Sequence, residues 1–236
     1  VVPCCIACVL AACAAPPPAP EPGVRLDGDW IVYHSETTAE ANLEARVLRD
    51  RHPSVRGLRI SSNGGNIEHG LALGEWVLAA GLDVYVDGYC YSSCANYVFP
   101  AGRRKILAES AMVGWHGGTR QWENAEAMCR EALDPAVTPA AEFEACLLRA
   151  EGLRQREARL FDLLGVDPSF TVRGFRDGAN YPSAPTDVAW TYSLADMERL
   201  GLGPVAVDGR RWRPRSDRPD HTVCLLDLDS GRCGPL

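Results

Sequence analysis

The sequence has no excess of positive charge, no long apolar run and no nucleotide-binding motif. Its net charge is −7 over 236 residues, which argues against nucleic acid as a partner because phosphate backbones attract basic surfaces. The apolar stretch at residues 1–12 is too short to cross a bilayer. Without a nucleotide-binding motif the chain has no built-in means of using ATP, and we expect no cofactor.

Metal-ligand spacing is also missing, although the chain has ten cysteines. A structural zinc site takes four ligands, and no second Cys/His pair stands at the spacing that such a site requires. We therefore expect no metal site. Ten cysteines are many for a cytosolic chain of this length and indicate an oxidising compartment. Hydrophobic residues make up 46% and charged residues 23%, as is typical of a soluble globular protein with one sizeable core.

The first 23 residues predict export and a membrane anchor. Residues 1–12 resemble the h-region of a secretion signal, and residues 10–13 resemble a bacterial lipobox, in which Cys13 becomes lipidated after cleavage. The alternative is an ordinary signal that is cleaved near Ala15. Proline recurs through this region, so residues 13–23 predict an extended linker. The predicted location is the periplasm or cell envelope, where the protein is lipid-anchored to a bacterial membrane.

Strand and helix patterns alternate through the remaining chain. Strands are predicted at residues 30–33, 57–62, 84–87, 105–107, 112–115, 186–192 and 204–207. Helices are predicted at residues 39–51, 67–80, 95–99, 122–133, 140–164 and 194–200. The alternation indicates a single α/β domain over residues 24–208 with a mainly parallel sheet and right-handed crossovers. Residues 209–236 are expected to form a C-terminal extension with a hairpin at residues 224–233.

Three segments that follow predicted strands carry groups that suit acyl transfer. Gly64-Gly65 follows the strand at 57–62, Ser92 lies in a small-residue turn after the strand at 84–87, and His116 follows a third strand. Sites in parallel sheets form at the carboxyl ends of strands, so the glycine pair and Ser92 are expected to share one crevice. Each segment has a structural reading when taken alone: a turn for the glycines and for His116, and a helix cap for Ser92.

Together these segments permit nucleophilic catalysis by a serine. The Ser92 hydroxyl needs a base to take its proton, and histidine, here His116, is the usual base. The tetrahedral intermediate needs N–H donors. Gly65 and Ser93 are the candidates, because glycine allows close approach and Ser93 directly follows the nucleophile. A helix that begins near Cys94 would direct its positive end to the same position.

The same segments resemble the proteolytic subunit of Clp protease. Residues 88–95 resemble its nucleophile segment, and residues 111–116 resemble the segment that carries its catalytic histidine. Residues 60–66 resemble its Asn-Ser-Pro-Gly-Gly loop, with Asn63 in place of proline. Residues 192–202 resemble a late helix of that family, and the similarity covers residues 24–207. A group of secreted Clp-protease-like proteins has a Cys-x-Ser-x-Cys turn, as Cys90 and Cys94 form around the serine here. Signal peptide peptidase A is a more distant relative.

This resemblance implies a fold of the Clp protease and crotonase type, in which a parallel sheet and crossover helices build a ββα superhelix. It also implies a serine peptidase in which Ser92 is the nucleophile and His116 the general base. Gly65 and Ser93 would then supply the oxyanion hole, with Gly64 in a supporting position.

The triad acid departs from the family pattern, in which it would fall at Ala189. Asp187 is the predicted substitute, and Asp167 is a weaker one. Along a strand, a shift of two residues keeps the same face but moves the carboxylate by about 6–7 Å. A missing third member usually weakens catalysis rather than abolishing it.

We therefore expect a periplasmic serine hydrolase that cleaves peptide bonds. The alternative is a catalytically weak or inactive scaffold that binds peptides or partner proteins, and Ala189 motivates it. Acyl-CoA chemistry, which the crotonase branch performs, fits less well because acyl-CoA is cytosolic. The implied partners are a peptide or protein substrate and a membrane reached through the lipid anchor, but no nucleic acid. A homo-oligomer stays an open alternative.

Three disulfides are predicted from proximity along the chain. One would brace the nucleophile turn, one would join two helices and one would close the last hairpin: Cys90–Cys94, Cys129–Cys146 and Cys224–Cys233. Six cysteines allow fifteen connectivities, so other pairings stay open. Outside the candidate site, His34 is expected at the surface.

Overall fold

The computed structural model of the protein describes residues 22–175, 188–215 and 222–236. The predicted signal segment, Cys13, most of the linker and Asp187 lie outside the described residues. The described residues form a mixed α/β fold with a mostly parallel central sheet and several helices. The predicted α/β class is therefore confirmed.

Two sheets contain the strands of the described chain. In chain order, these are β1 (Gly23–Asp27), β2 (Trp30–His34), β3 (Gly57–Ser62), β4 (Asp83–Tyr91), β5 (Lys105–Ala108), β6 (Met112–Gly114), β7 (Val188–Thr191), β8 (Val205–Asp208), β9 (Thr222–Leu226) and β10 (Cys233–Gly234). The central sheet has the order β1-β2-β3-β4-β5-β8, and β6 pairs with the far end of β4. The small sheet has the order β10-β9-β7. In the central sheet β1 is antiparallel to β2, and the other pairs are parallel.

Helices connect the strands and cover the central sheet. They are α1 (Ala39–Arg51), α2 (Ile67–Ala79), α3 (Phe99–Ala101), α4 (Ala125–Ala132), α5 (Ala140–Leu164) and α6 (Leu194–Arg199), and a π-helical segment, Cys94–Val98, leads into α3. The Thr38 side chain accepts the N–H of Ala41 at the start of α1, and the Asn66 side chain accepts the N–H of Glu68 at the start of α2. Such caps satisfy donors that the first helical turn leaves unpaired.

The core lies between the central sheet and these helices. Its fully buried apolar side chains come from the middle strands and from α2, and they include Ile31, Leu58, Ile60, Val84, Leu71 and Val77. Burial of one such side chain stabilises the fold by roughly 1.5–3 kcal/mol. β2 is buried along its whole length, whereas β3 and β4 alternate. Leu58, Ile60, Val84 and Val86 are fully buried on one face, and Arg59 and Tyr85 on the other face are partly exposed.

One buried carboxylate secures the start of β4. The Asp83 side chain is completely buried and binds Arg103 Nε at 2.9 Å and Arg104 Nη2 at 2.6 Å. Burial opposes ionisation of Asp83, but its bonds to Arg104 and Arg103 outweigh burial and hold its pKa below the usual value. The two arginines lie just before β5, so this cluster ties the beginnings of β4 and β5 together.

Several predicted boundaries hold, and four features differ. The bounds predicted for α1 and β3 are those of the structure. In contrast, β4 continues to Tyr91, because residues 89–91 pair with β6 where a turn was expected. The helix predicted from residue 122 begins at Ala125, where the Asn124 side chain provides the cap. The hairpin strand β1 has no counterpart in the prediction, and β9 of the C-terminal hairpin pairs with β7 in a separate sheet.

All three predicted disulfides are present. The Cα–Cα distances are 5.3 Å for Cys90–Cys94, 6.0 Å for Cys129–Cys146 and 5.3 Å for Cys224–Cys233. Three disulfides fit an extracellular or periplasmic protein, since reducing compartments keep thiols free. Within the ranges that the structure describes, no helix combines the length and apolar character needed to cross a membrane.

Candidate active site

The segments predicted to carry chemistry meet at one edge of the central sheet. β3, β4 and β6 are parallel neighbours, so their carboxyl ends lie side by side. The loop after β3 holds Gly64 and Gly65, β4 leads directly into Ser92, and His116 is the second residue after β6. Neighbouring strands are about 4.8 Å apart, which brings these segments into one crevice.

Ser92 occupies a left-handed turn at the end of β4. Its φ is 54°, and among the described residues no other residue except glycine has a positive φ. Left-handed backbone costs a residue with a side chain roughly 1–2 kcal/mol, and such strain is concentrated at functional sites. Two backbone hydrogen bonds hold the turn: Ser92 N–H donates to Gly114 C=O (3.1 Å), and Asn96 N–H donates to Ser92 C=O (2.8 Å).

The Cys90–Cys94 disulfide spans this turn. Cys90 lies near the end of β4, Cys94 opens the π-helical segment, and both are fully buried. The covalent link therefore joins the two elements on either side of Ser92. The helix predicted near residue 95 is present, but its first turn is π-helical, so hydrogen bonding there differs from that of an α-helix.

Gly64 packs directly on the backbone of the Ser92 turn. Its φ of 88° favours glycine. A Cβ atom at this position would lie 2.6 Å from Tyr91 O, 2.7 Å from Ser92 Cβ and 2.8 Å from Ser93 N, whereas ordinary contacts are 3.4–4 Å. The glycine loop and the turn are therefore in backbone contact, which a larger residue would prevent.

The Ser93 side chain binds the glycine loop. Its Oγ donates to Gly65 C=O at 3.0 Å and lies 3.1 Å from Thr37 Oγ1. Thr37 N–H in turn donates to Gly64 C=O at 2.6 Å. The N–H groups of Gly65 and Ser93 make no hydrogen bond with any described residue. The two predicted oxyanion donors are thus next to each other in the structure with their N–H groups unused.

His116 is exposed, and the loop after it is firmly held. Asn96 Nδ2 donates to Gly117 C=O (2.7 Å), and Arg154 Nη1 donates to Thr119 C=O (2.8 Å). Between the described side chains no hydrogen bond links the Ser92 hydroxyl to His116. Catalytic hydrogen bonds are often long or poorly aligned without substrate. The lack of this bond is therefore compatible with a catalytic pair.

A buried carboxylate organises the same loop from α5. Glu157 is 1% exposed and accepts hydrogen bonds from the Tyr97 hydroxyl (2.7 Å), the Thr119 hydroxyl (2.7 Å) and the Thr119 N–H (3.2 Å). Burial, followed by the charge of Glu157, raises the pKa of Tyr97 well above its usual range. Tyr97 therefore stays a donor, and α5 fixes the backbone that follows His116.

An alanine occupies the position opposite His116. Trp115 and Trp190 exchange two backbone hydrogen bonds of 2.8 Å across an antiparallel bridge, and this register places Ala189 opposite His116. Ala189 is buried in a small apolar cluster that contains Tyr91, Met112 and Val223. The position at which the triad acid was expected is therefore part of an apolar contact between the two sheets.

Of the two predicted substitutes for the acid, Asp167 lies within the described residues and Asp187 does not. Asp187 lies outside the described residues, so its role stays a prediction. Asp167 caps a 3₁₀ turn by accepting the N–H of Ser169 at 2.9 Å, and its carboxylate lies 3.7 Å from Arg173. These contacts give Asp167 a structural role in the segment after α5.

Sequence reasoning missed a hydrogen-bonded histidine–aspartate pair beside the glycine loop. His34 is 8% exposed, contrary to its expected surface position, and its Nε2 lies 3.0 Å from Asp87 Oδ2. His34 lines a cavity of about 340 Å³ together with Ser61 and Asn63. The pairing joins β2 to β4 across β3. The available sequence signal was the apolar run at residues 30–33, which continues directly into His34.

No protein-family model and no curated protein sequence matches this chain. Within residues 22–175, 188–215 and 222–236, no group of three His, Cys, Asp or Glu side chains is arranged to hold a metal ion. The function therefore has to be argued from the chemistry of the site itself.

Proposed function

We propose that this protein is a serine hydrolase of the cell envelope that cleaves peptide bonds. The observation that carries the proposal is the left-handed Ser92, spanned by a disulfide and packed against Gly64. A serine that only caps a helix has no need of a strained backbone. A strained turn between strand and helix is how other serine hydrolases expose their nucleophile.

The proposed reaction uses two proton transfers by the same histidine. Ser92 Oγ attacks the carbonyl carbon while His116 takes the hydroxyl proton. The oxyanion accepts hydrogen bonds from the N–H groups of Gly65 and Ser93. His116 then gives its proton to the leaving amine, which yields an acyl-enzyme. A water molecule repeats the sequence, releases the acid and regenerates the serine.

Because Ala189 cannot orient His116 as a carboxylate would, we expect this reaction to be slow. An orienting carboxylate holds the histidine in the productive tautomer, and its loss in a serine protease lowers kcat by roughly 10⁴. Asp187 is the remaining predicted orienting group. We therefore propose a slow peptidase unless Asp187 reaches the far nitrogen of His116.

The proposed fold type is that of Clp protease and crotonase. The parallel order of β2, β3 and β4 supports it, as do the glycine loop after β3 and the nucleophile turn after β4. The disulfides support an extracellular or periplasmic location. We also propose that Cys13 is lipidated and anchors the protein to the membrane.

A fluorophosphonate probe tests the nucleophile, because it bonds covalently to an activated serine. We expect wild type to be labelled and Ser92→Ala to stay unlabelled. His116→Gln should label at least about 100-fold more slowly, since a general base contributes 10²–10⁴. Ser110→Ala is the matched control because Ser110 is exposed in the loop between β5 and β6. Equal labelling of wild type and Ser92→Ala would rule the proposal out.

A peptide-binding scaffold is the second candidate, and the apolar Ala189 position favours it. A scaffold predicts that wild type and Ser92→Ala bind the same peptides with equal affinity and that neither cleaves them. Incubation with a peptide library followed by mass spectrometry separates the two functions. New peptide ends produced by wild type alone would exclude the scaffold.

A further inference from the structure

A row of arginine side chains lies on the surface after β8. Residues 210–215 hold four arginines and no acidic residue, in a chain whose net charge is −7. Exposed arginines alternate there with half-buried residues, namely Arg211, Arg213 and Arg215 with Trp212 and Pro214. The alternation of exposed and half-buried residues places the side chains of the three arginines towards solvent. We refer to Arg211, Arg213 and Arg215 as the arginine ledge.

Hydrogen bonds fix the backbone of the arginine ledge. Three donors of this segment bind carbonyl groups of the loop between β5 and β6: Arg213 N–H to Glu109 (2.7 Å), Arg215 N–H to Ser110 (3.1 Å) and the Trp212 indole to Ala111 (2.7 Å). A fixed backbone presents the three guanidinium groups together, so less ordering is needed when a ligand binds.

No side chain of the ledge pairs with a carboxylate in the described part of the chain. Nine other arginines of the described residues do form such pairs. Among nearby acids, Asp208 accepts a hydrogen bond from Tyr85 (3.0 Å), and the Glu109 carboxylate lies against Gly209. Among the described residues, therefore, no carboxylate neutralises the positive charge of the ledge.

An apolar groove of about 770 Å³ borders the ledge. Its walls combine apolar side chains from α6, β8, β9 and the last residue of the chain with two ledge arginines: Leu194, Val207, Leu225, Leu236, Arg211 and Arg213. A guanidinium rim beside an apolar floor matches a molecule that has an anionic head and a hydrocarbon part. A soluble polyanion would contact the arginines but would make no use of the apolar side chains in the groove.

We infer that the arginine ledge and its groove bind anionic phospholipid at a membrane surface. Guanidinium groups bind phosphate oxygens through paired hydrogen bonds. Each basic side chain near an anionic membrane strengthens binding about fivefold. Trp212 lies half-buried between the arginines, and tryptophan is enriched where apolar and polar regions of a membrane meet. This inference is independent of the hydrolase proposal.

Vesicle co-sedimentation tests the inference. The full chain with Cys13→Ser, which cannot be lipidated at that residue, is mixed with vesicles of phosphatidylcholine alone or of equal parts phosphatidylcholine and phosphatidylglycerol. We expect binding to the anionic vesicles only, weakened by salt. Replacing all three ledge arginines by glutamine should lower the affinity about 100-fold.

The control has the same change of charge at a distance from the ledge. Arg51, Arg149 and Arg159 are exposed, and their replacement by glutamine should leave vesicle binding nearly unchanged. Circular dichroism verifies that both triple variants are folded. Equal loss of binding in the two variants would overturn the inference. So would equal binding to neutral vesicles, or binding to heparin without binding to anionic vesicles.

Discussion

The contact between Gly64 and the Ser92 turn allows a quantitative prediction. In Gly64→Ala the new Cβ would lie 2.6 Å from Tyr91 O and 2.7 Å from Ser92 Cβ, whereas ordinary contacts begin at 3.4 Å. The loop and the turn must therefore separate by about 0.8 Å, the difference between these distances. Neither side can yield easily, because the atoms in contact belong to backbone and Cβ positions.

Two costs combine in this variant. The left-handed backbone at Gly64 costs alanine roughly 1–2 kcal/mol, and overpacking adds about 1–3 kcal/mol. We expect the free energy of unfolding to fall by roughly 2–5 kcal/mol. Because a misplacement of about 1 Å can reduce a rate 10²-fold, we also expect the fluorophosphonate probe to label Ser92 about 100-fold more slowly.

The assay compares labelling rates with thermal unfolding at a temperature where each variant is folded. Gly28→Ala is the matched control, because Gly28 has a φ of 59° and a Cβ there would meet nothing within 4 Å. It should unfold more easily by roughly 1–2 kcal/mol and label at the wild-type rate. If folded Gly64→Ala labels as fast as Gly28→Ala, the loop does not position Ser92 and the reasoning fails.

The disulfides and Asp83 provide two more predictions. Alanine at both cysteines of Cys129–Cys146 should cost about 3 kcal/mol of stability without changing Ser92 labelling. The same change at Cys90–Cys94 should cost about 2 kcal/mol and slow labelling; equal labelling in both variants would contradict this. The pKa of Asp83 is lowered, so its contribution is complete above the unfolded value of about 3.9 and is lost as pH falls through the folded value. Asp83→Asn should therefore remove about 2–3 kcal/mol at neutral pH and less in acid, as measured by urea unfolding. The figure is below that of a fully buried pair because both arginine partners are more than half exposed.

Local patterns with clear end signals could be predicted from the sequence. Thr38 precedes the regular apolar spacing of α1, and glycines follow the apolar run of β3, so both elements have the predicted bounds. The end of β4 could not be predicted in this way. Gly88 and the small residues after it suggest a turn, but pairing with β6 keeps residues 89–91 extended. That partner lies more than 20 residues away, where local periodicity carries no information.

The sequence predicts which segments meet at the candidate site but not the individual contacts between them. Parallel topology alone brings the glycine loop, Ser92 and His116 to one sheet edge. The hydrogen bond between His34 and Asp87 depends on a contact across β3, and the two residues are 53 positions apart. The positive φ of Ser92 and the close packing of Gly64 on its turn depend on backbone contacts between two loops, which a local pattern does not encode.

The bridge between Trp115 and Trp190 has a practical consequence. It attaches the backbone next to His116 to β7, and β7 is aligned by β9 of the C-terminal hairpin. A shortened protein that stops after β8 would therefore lose the strand that supports β7. If the proposed hydrolase activity is lost in that shortened protein, the loss is no proof that the hairpin binds substrate. Deletion mapping on this chain should replace the hairpin side chains one at a time and keep the strand itself.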